Sequence, residues 1–238
     1  MSHRRLVAAG ISTLLGLTLA TGAWAQAVLQ TVTVRVNSGQ MSTYLERVAE
    51  LQGVMDRVGG GARVQVWNAT AAGTNTGDTL VSIGYPSLVA FAETSTKAVA
   101  DPEWQKILAG LDGIRTLVSQ GLIVSRDGGG LPAAAASGSV LQGVLVRVKP
   151  GQLDAYVQRI AELKGVLERV GASSNIRVWQ ATLAGQTTGT VAVGIIHPSL
   201  AAYAENTAKL QNDDEAAKLL AGLDAIRTVV SSSLFTSP

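Results

Sequence analysis

From residue 28 onward the hydrophobic positions change period in a regular order. Val32, Val34 and Val36 alternate with Thr33 and Arg35, and this period of two predicts a β-strand with one apolar face. Tyr44, Val48, Leu51, Met55 and Val58 follow at spacings of 4, 3, 4 and 3, with Glu46, Arg47, Glu50 and Asp56 between them. That spacing predicts an amphipathic helix with one buried stripe, and Gly59 suits the position just past its end. A second strand covers Val64–Thr70, a glycine-rich turn runs from Gly73 to Gly77, and a third strand covers Thr79–Gly84. Pro86 and Ser87 end that strand, with Ser87 placed to cap a helix over Leu88–Ala98. Asp101-Pro102-Glu103 reads as a fresh helix start, and Trp104, Ile107, Leu108, Leu111 and Ile114 form its apolar side. A last strand is expected at about Gly121–Ser125.

The whole series then returns. Val64-Gln65-Val66-Trp67-Asn68-Ala69-Thr70 recurs as Ile176-Arg177-Val178-Trp179-Gln180-Ala181-Thr182, an offset of 112, and the same offset maps Gly39 onto Gly151, Pro86 onto Pro198 and Arg115 onto Arg227. No gap is needed, and about half of the aligned residues are identical, so the sequence reads as an internal duplication. Each copy has the order strand, helix, strand, strand, helix in two pieces, strand, which is ferredoxin-like βαββαβ. The expected division is a leader at 1–25, a first repeat at 26–126, a linker at 127–139 and a second repeat at 140–238. The linker carries Gly128-Gly129-Gly130, Pro132 and a run of Ala and Ser, which predicts a flexible connection. Its glycines are not a phosphate loop, because no strand-loop-helix frame or following Lys-Ser/Thr accompanies them.

Composition adds a compartment. Arg4 and Arg5 precede the uncharged apolar run Leu6–Ala20, and Ala23-Trp24-Ala25 is a small-x-small cleavage pattern. These features predict a secretory signal peptide cut between Ala25 and Gln26, and a periplasmic or secreted protein without stable membrane insertion afterwards. Without Arg4 and Arg5 the 19 basic residues become 17, against 17 acidic ones, so the formal charge of +2 belongs to the leader. No basic stripe remains for nucleic acid. The chain has no cysteine, which excludes disulfides, thiolate metal sites and a cysteine nucleophile.

The element order, the Val-x-Val-Arg-Val strand leading to Gly39 or Gly151, the Val-Trp strand, the Pro-Ser-Leu helix start and Asp101-Pro102-Glu103-Trp104 resemble the dimeric α+β barrel superfamily, which includes antibiotic-biosynthesis monooxygenases and NIPSNAP-like proteins. The resemblance covers essentially all of both copies. It implies that two four-stranded sheets pair across a two-fold axis, here with both halves supplied by one chain as an intramolecular pseudo-dimer. Further oligomerisation stays open.

Strand parity predicts the lining of such a barrel. With the valines turned to the helices, Thr33, Arg35, Leu145 and Arg147 share the opposite face, as do Gln65, Trp67, Arg177 and Trp179. Arg35, Gln65, Trp67, Arg147, Arg177 and Trp179 are therefore candidate ligand-binding residues. Guanidinium groups beside flat apolar walls suit a small aromatic or acidic ligand. The competing reading has Arg35 and Arg147 paired with carboxylates or reaching the barrel mouth, and the tryptophans as core.

Tyr85 and His197 occupy equivalent positions and are weaker candidates. His197 is the one histidine outside the leader, expected as a partly exposed residue at a strand end. One histidine builds no His-cluster metal site, and no serine lies in a nucleophile motif. Neither a metal nor a cofactor is expected. Tyr44 and Tyr156 read as core, Asp112/Arg115 and Asp224/Arg227 as surface ion pairs on a helix, and the Asn68-Ala69-Thr70 sequon falls inside a strand. Three function classes follow: small-molecule binding or scaffolding without evident catalysis, a cofactor-independent monooxygenase acting on a small aromatic substrate, and a haem-binding barrel with His197 as axial ligand.

Overall fold

The computed structural model describes residues 26–172 and 175–238; the leader expected at 1–25 lies outside them. The first half contains β1 (Val28–Val36), α1 (Met41–Val58), β2 (Arg63–Ala71), β3 (Thr79–Tyr85), α2 (Leu88–Ala100), α3 (Pro102–Asp112) and β4 (Arg115–Ser125). The second contains β5 (Val140–Val148), α4 (Leu153–Arg169), β6 (Asn175–Leu183), β7 (Val191–His197), α5 (Leu200–Gln211), α6 (Asp214–Asp224) and β8 (Arg227–Thr236). The described residues form an α+β fold with eight antiparallel strands.

Local chemistry sets the element boundaries where the sequence marks them. The Ser87 and Ser199 hydroxyls accept from the amides of Ala90 and Ala202 at 3.1 Å, satisfying donors that the first turns of α2 and α5 leave open. Asp101 caps α3 by accepting from the Glu103 and Trp104 amides, and Asp213 caps α6 through the Ala216 amide. Two helix-ward cores result. Tyr44, Met55, Tyr85 and Leu111 are fully buried in one, Tyr156, Leu167 and Leu223 in the other.

Hydrogen bonding runs in the order β1-β3-β2-β8-β5-β7-β6-β4 and returns to β1, a closed barrel. The two halves are stitched by β2 with β8 and by β4 with β6. Matching registers recur in the halves, as in Val28 opposite Tyr85 and Val140 opposite His197. Because every pair is antiparallel, the starts of β1, β2, β5 and β6 lie at the same barrel end as the ends of β3, β4, β7 and β8. The connection from β4 to β5 must therefore cross that end.

Three expectations change. First, β4 and β8 begin at Arg115 and Arg227 rather than near Gly121 and Ser233. Their first halves are exposed, so no apolar alternation marked them. Second, Arg115 and Arg227 consequently leave the helix surface. Arg227 is folded inward, with its guanidinium 5.9 Å from the Tyr156 ring and donating to the Tyr156 hydroxyl at 3.3 Å, while Asp224 stands 3.9 Å away. Third, residues 127–139 do not hang free of the barrel. They pack across its mouth through Asp127 and Ala135, and Leu131 to Ala135 line its interior.

Candidate functional site

A cavity of about 280 Å³ occupies the barrel interior. It exists because alternate side chains of all eight strands point inward, and several are small: Gly84, Gly143, Ala192 and Gly194 take inward positions. Trp67 and Trp179 supply the largest flat walls, 3% and 5% exposed, at the β2/β8 and β6/β4 seams. Leu29, Leu80, Leu141, Ile196 and Phe235 complete an apolar lining broken by the hydroxyls of Thr31, Ser82, Ser231 and Ser233.

Of the six candidates, four meet at this cavity: Gln65, Trp67, Arg177 and Trp179. The Arg177 side chain is only 13% exposed, and its guanidinium carbon lies 5.6 Å from the Trp179 ring centroid, a cation–π arrangement. It is also paired. Arg177 Nε donates to Asp127 Oδ2 at 2.7 Å and Nη2 to Oδ1 at 3.2 Å, while the Val178 amide donates to the same carboxylate at 3.1 Å. Burial alone would raise the Asp127 pKa. Hydrogen bonds from Arg177, Ser125 and the Gly129 amide outweigh it and hold the group below the usual carboxylate range. The guanidinium is thus neutralised before any ligand arrives.

Arg35 and Arg147 do not reach the cavity. They share the inward parity but sit near the ends of β1 and β5, where the chain leaves the barrel. Arg35 is 63% exposed and makes a bidentate pair with the buried Asp78, at 2.8 and 3.2 Å. Arg147 is exposed. Tyr85 and His197 are on the helix side of the sheet, since they alternate with the inward Gly84 and Ile196. Tyr85 packs edge-on against Phe91 and His197 against Tyr203. His197 is 3% exposed rather than partly open, because α5 covers it. Its Nδ1 lies 3.0 Å from the Asn206 amide nitrogen, and burial pushes its pKa down.

Sequence reasoning missed the linker. Leu131 to Ala135 line the cavity, and the Ala135 amide donates to Gln65 Oε1 at 3.1 Å. Arg63 was missed too, although its parity with Gln65 and Trp67 was readable; it stands exposed at the same mouth. Among the described residues the lining contains no Asp, Glu, His, Lys, Tyr, Cys or Met. A haem would find no axial ligand there, so these residues do not fit one. A general base for proton abstraction is likewise missing from the lining. No cluster of His, Cys, Asp or Glu suited to a metal occurs among the described residues, and no helix among them is long and apolar enough to cross a membrane.

No family model matches the sequence, and no curated protein matches it. Solved structures do match the fold. The chain is similar to an anthrone oxidase-like protein at TM-score 0.61 and 16% identity, over 90% of this chain and 91% of the other. It is also similar to a candidate monooxygenase from Lactobacillus acidophilus NCFM at TM-score 0.59 and 9% identity, covering 90% and 93%. A candidate chlorite dismutase gives TM-score 0.58 and 9% identity, covering 90% and 95%. At such identities what these neighbours share with this chain is the fold alone.

Proposed function

We propose that this chain is an exported small-molecule-binding protein, in which two ferredoxin-like repeats, 26–126 and 140–238, pack within one chain as the counterpart of a dimeric α+β barrel. The ligand is a flat, predominantly apolar molecule held between Trp67 and Trp179. The observation that carries this reading is the cavity of about 280 Å³ walled by those two rings, at the small end of the size range of small-ligand sites. The absence of a carboxylate or imidazole from the lining among the described residues favours binding over proton-transfer chemistry.

A neutral two-ring fluorophore, N-phenyl-1-naphthylamine, tests this. It should bind with one-to-one stoichiometry and quench tryptophan emission, and that quenching should fall sharply in a Trp67→Ala, Trp179→Ala double variant. Emission from the wild type that stays unchanged up to saturating fluorophore would overturn the reading. The second reading, a cofactor-independent monooxygenase, is favoured by the fold shared with the candidate monooxygenase and the anthrone oxidase-like protein. Oxygen uptake with a bound quinol-type aromatic would support it over simple binding.

A further inference from the structure

We infer that residues 127–135 are the specificity-determining wall of this cavity, a strap that fixes both the length and the charge of what binds; the inference rests on the binding role proposed above.

The strap is seated at three points, and each uses a residue that differs between the two halves. Asp127 takes the two Arg177 hydrogen bonds, and the position equivalent to Arg177 is Gln65. Gln65 in turn accepts from the Ala135 amide. Leu131 fills the space over Gly84: a Cβ built on Gly84 would lie 2.7 Å from Leu131 Cδ2 and 3.2 Å from Leu29 Cδ2. The equivalent of Gly84 is Ile196, which supplies its own side chain to the lining. Gly129 passes the guanidinium so closely that a Cβ there would come within 2.4 Å of Arg177 Nη2. A barrel with two identical halves would offer the strap two seats; these differences leave one.

Two consequences follow for the ligand. Leu131 and Pro132 to Ala135 shorten the cavity at the mouth, so they exclude long ligands. Asp127 satisfies Arg177, so an anionic group gains little from that guanidinium, and the favoured ligand is uncharged where it meets Arg177.

The test uses the full chain with three fluorophores: neutral N-phenyl-1-naphthylamine, its sulfonated relative 1-anilinonaphthalene-8-sulfonate, and the longer 1,6-diphenylhexatriene. Wild type should prefer the first. Leu131→Ala should move selectivity toward diphenylhexatriene by about tenfold, since removing the side chain extends the cavity. Asp127→Asn should move selectivity toward the sulfonate by about tenfold or more, the scale of one charge-assisted hydrogen bond released for the ligand. Gly84→Ile, which fills the Leu131 seat with the side chain found at position 196, should speed hydrogen exchange at the Ala135 amide while leaving the far-ultraviolet circular dichroism unchanged. Wild-type binding of the neutral probe with both selectivities unaltered in the variants would overturn the strap inference and leave the cavity reading standing. Failure of wild type to bind any probe would overturn both.

Discussion

Replacing Trp179 with alanine probes the wall of the cavity and the coupling of the strap to it. The ring is 5% exposed, so nearly all of its surface is removed from water on folding. A buried tryptophan hides about 150–250 Å². At about 25 cal/mol per Å², that is roughly 4–6 kcal/mol. The figure is an upper bound, because the unfolded chain already hides part of its apolar surface and one side of the ring faces a cavity rather than packed atoms. Loss of the Arg177 contact adds about 0.5–1 kcal/mol. The expected destabilisation is therefore about 3–5 kcal/mol, in the usual range for a core Trp→Ala change. Urea unfolding followed by circular dichroism measures it, with the slope checked so that only the midpoint moves. Trp179→Phe keeps an aromatic wall and should lose a minor fraction of that amount. If Trp179→Ala costs less than about 1 kcal/mol and N-phenyl-1-naphthylamine quenches it as fully as wild type, the ring is not a wall of the site, and the inward face of β6 has been misassigned.

His197 gives a pH test. Burial holds its pKa below the usual value, so the folded chain carries a neutral ring while the unfolded chain takes up a proton near pH 6.5. Its contribution to stability is complete above that pH and is lost progressively as pH falls below it toward the folded-state pKa. The urea midpoint should fall between pH 7.5 and 5.5 in wild type and stay flatter in His197→Tyr, the residue already used at position 85; parallel profiles would refute this. Export is checked by sequencing the mature N-terminus from an expressing cell, which should begin at Gln26; a periplasmic or secreted form that retains Arg4 and Arg5 would contradict it.

Much of the architecture is readable from periodicity alone, because helix and strand periods are local properties of the backbone. The 4-3-4-3 stripe of Tyr44 to Val58 and the alternation of Val32, Val34 and Val36 needed no partner to be recognised. Strand parity likewise identified Gln65, Trp67, Arg177 and Trp179 as sharing an inward face. Parity says which side of a sheet a residue faces but not its height along the barrel axis. Arg35 and Arg147 therefore share the face of the cavity residues without meeting them: they sit at the end of their strands. His197 departs from expectation for a related reason. A strand-end residue before proline looks open in one dimension, and only the return of α5 over it makes it buried.

The amino-acid order by itself determined the element types, their repetition at an offset of 112 and the two faces of each strand. What the tertiary structure alone decided was the site. Residues 127–135 carry no local signal beyond flexibility, since Gly, Ala and Ser commit to no period. Their placement comes from groups brought together by barrel closure: the Arg177 fork for Asp127, the bare backbone of Gly84 for Leu131, and the Gln65 carbonyl for the Ala135 amide. Those partners lie 47 to 70 residues away in sequence, and contacts between distant positions leave no periodic trace in the chain.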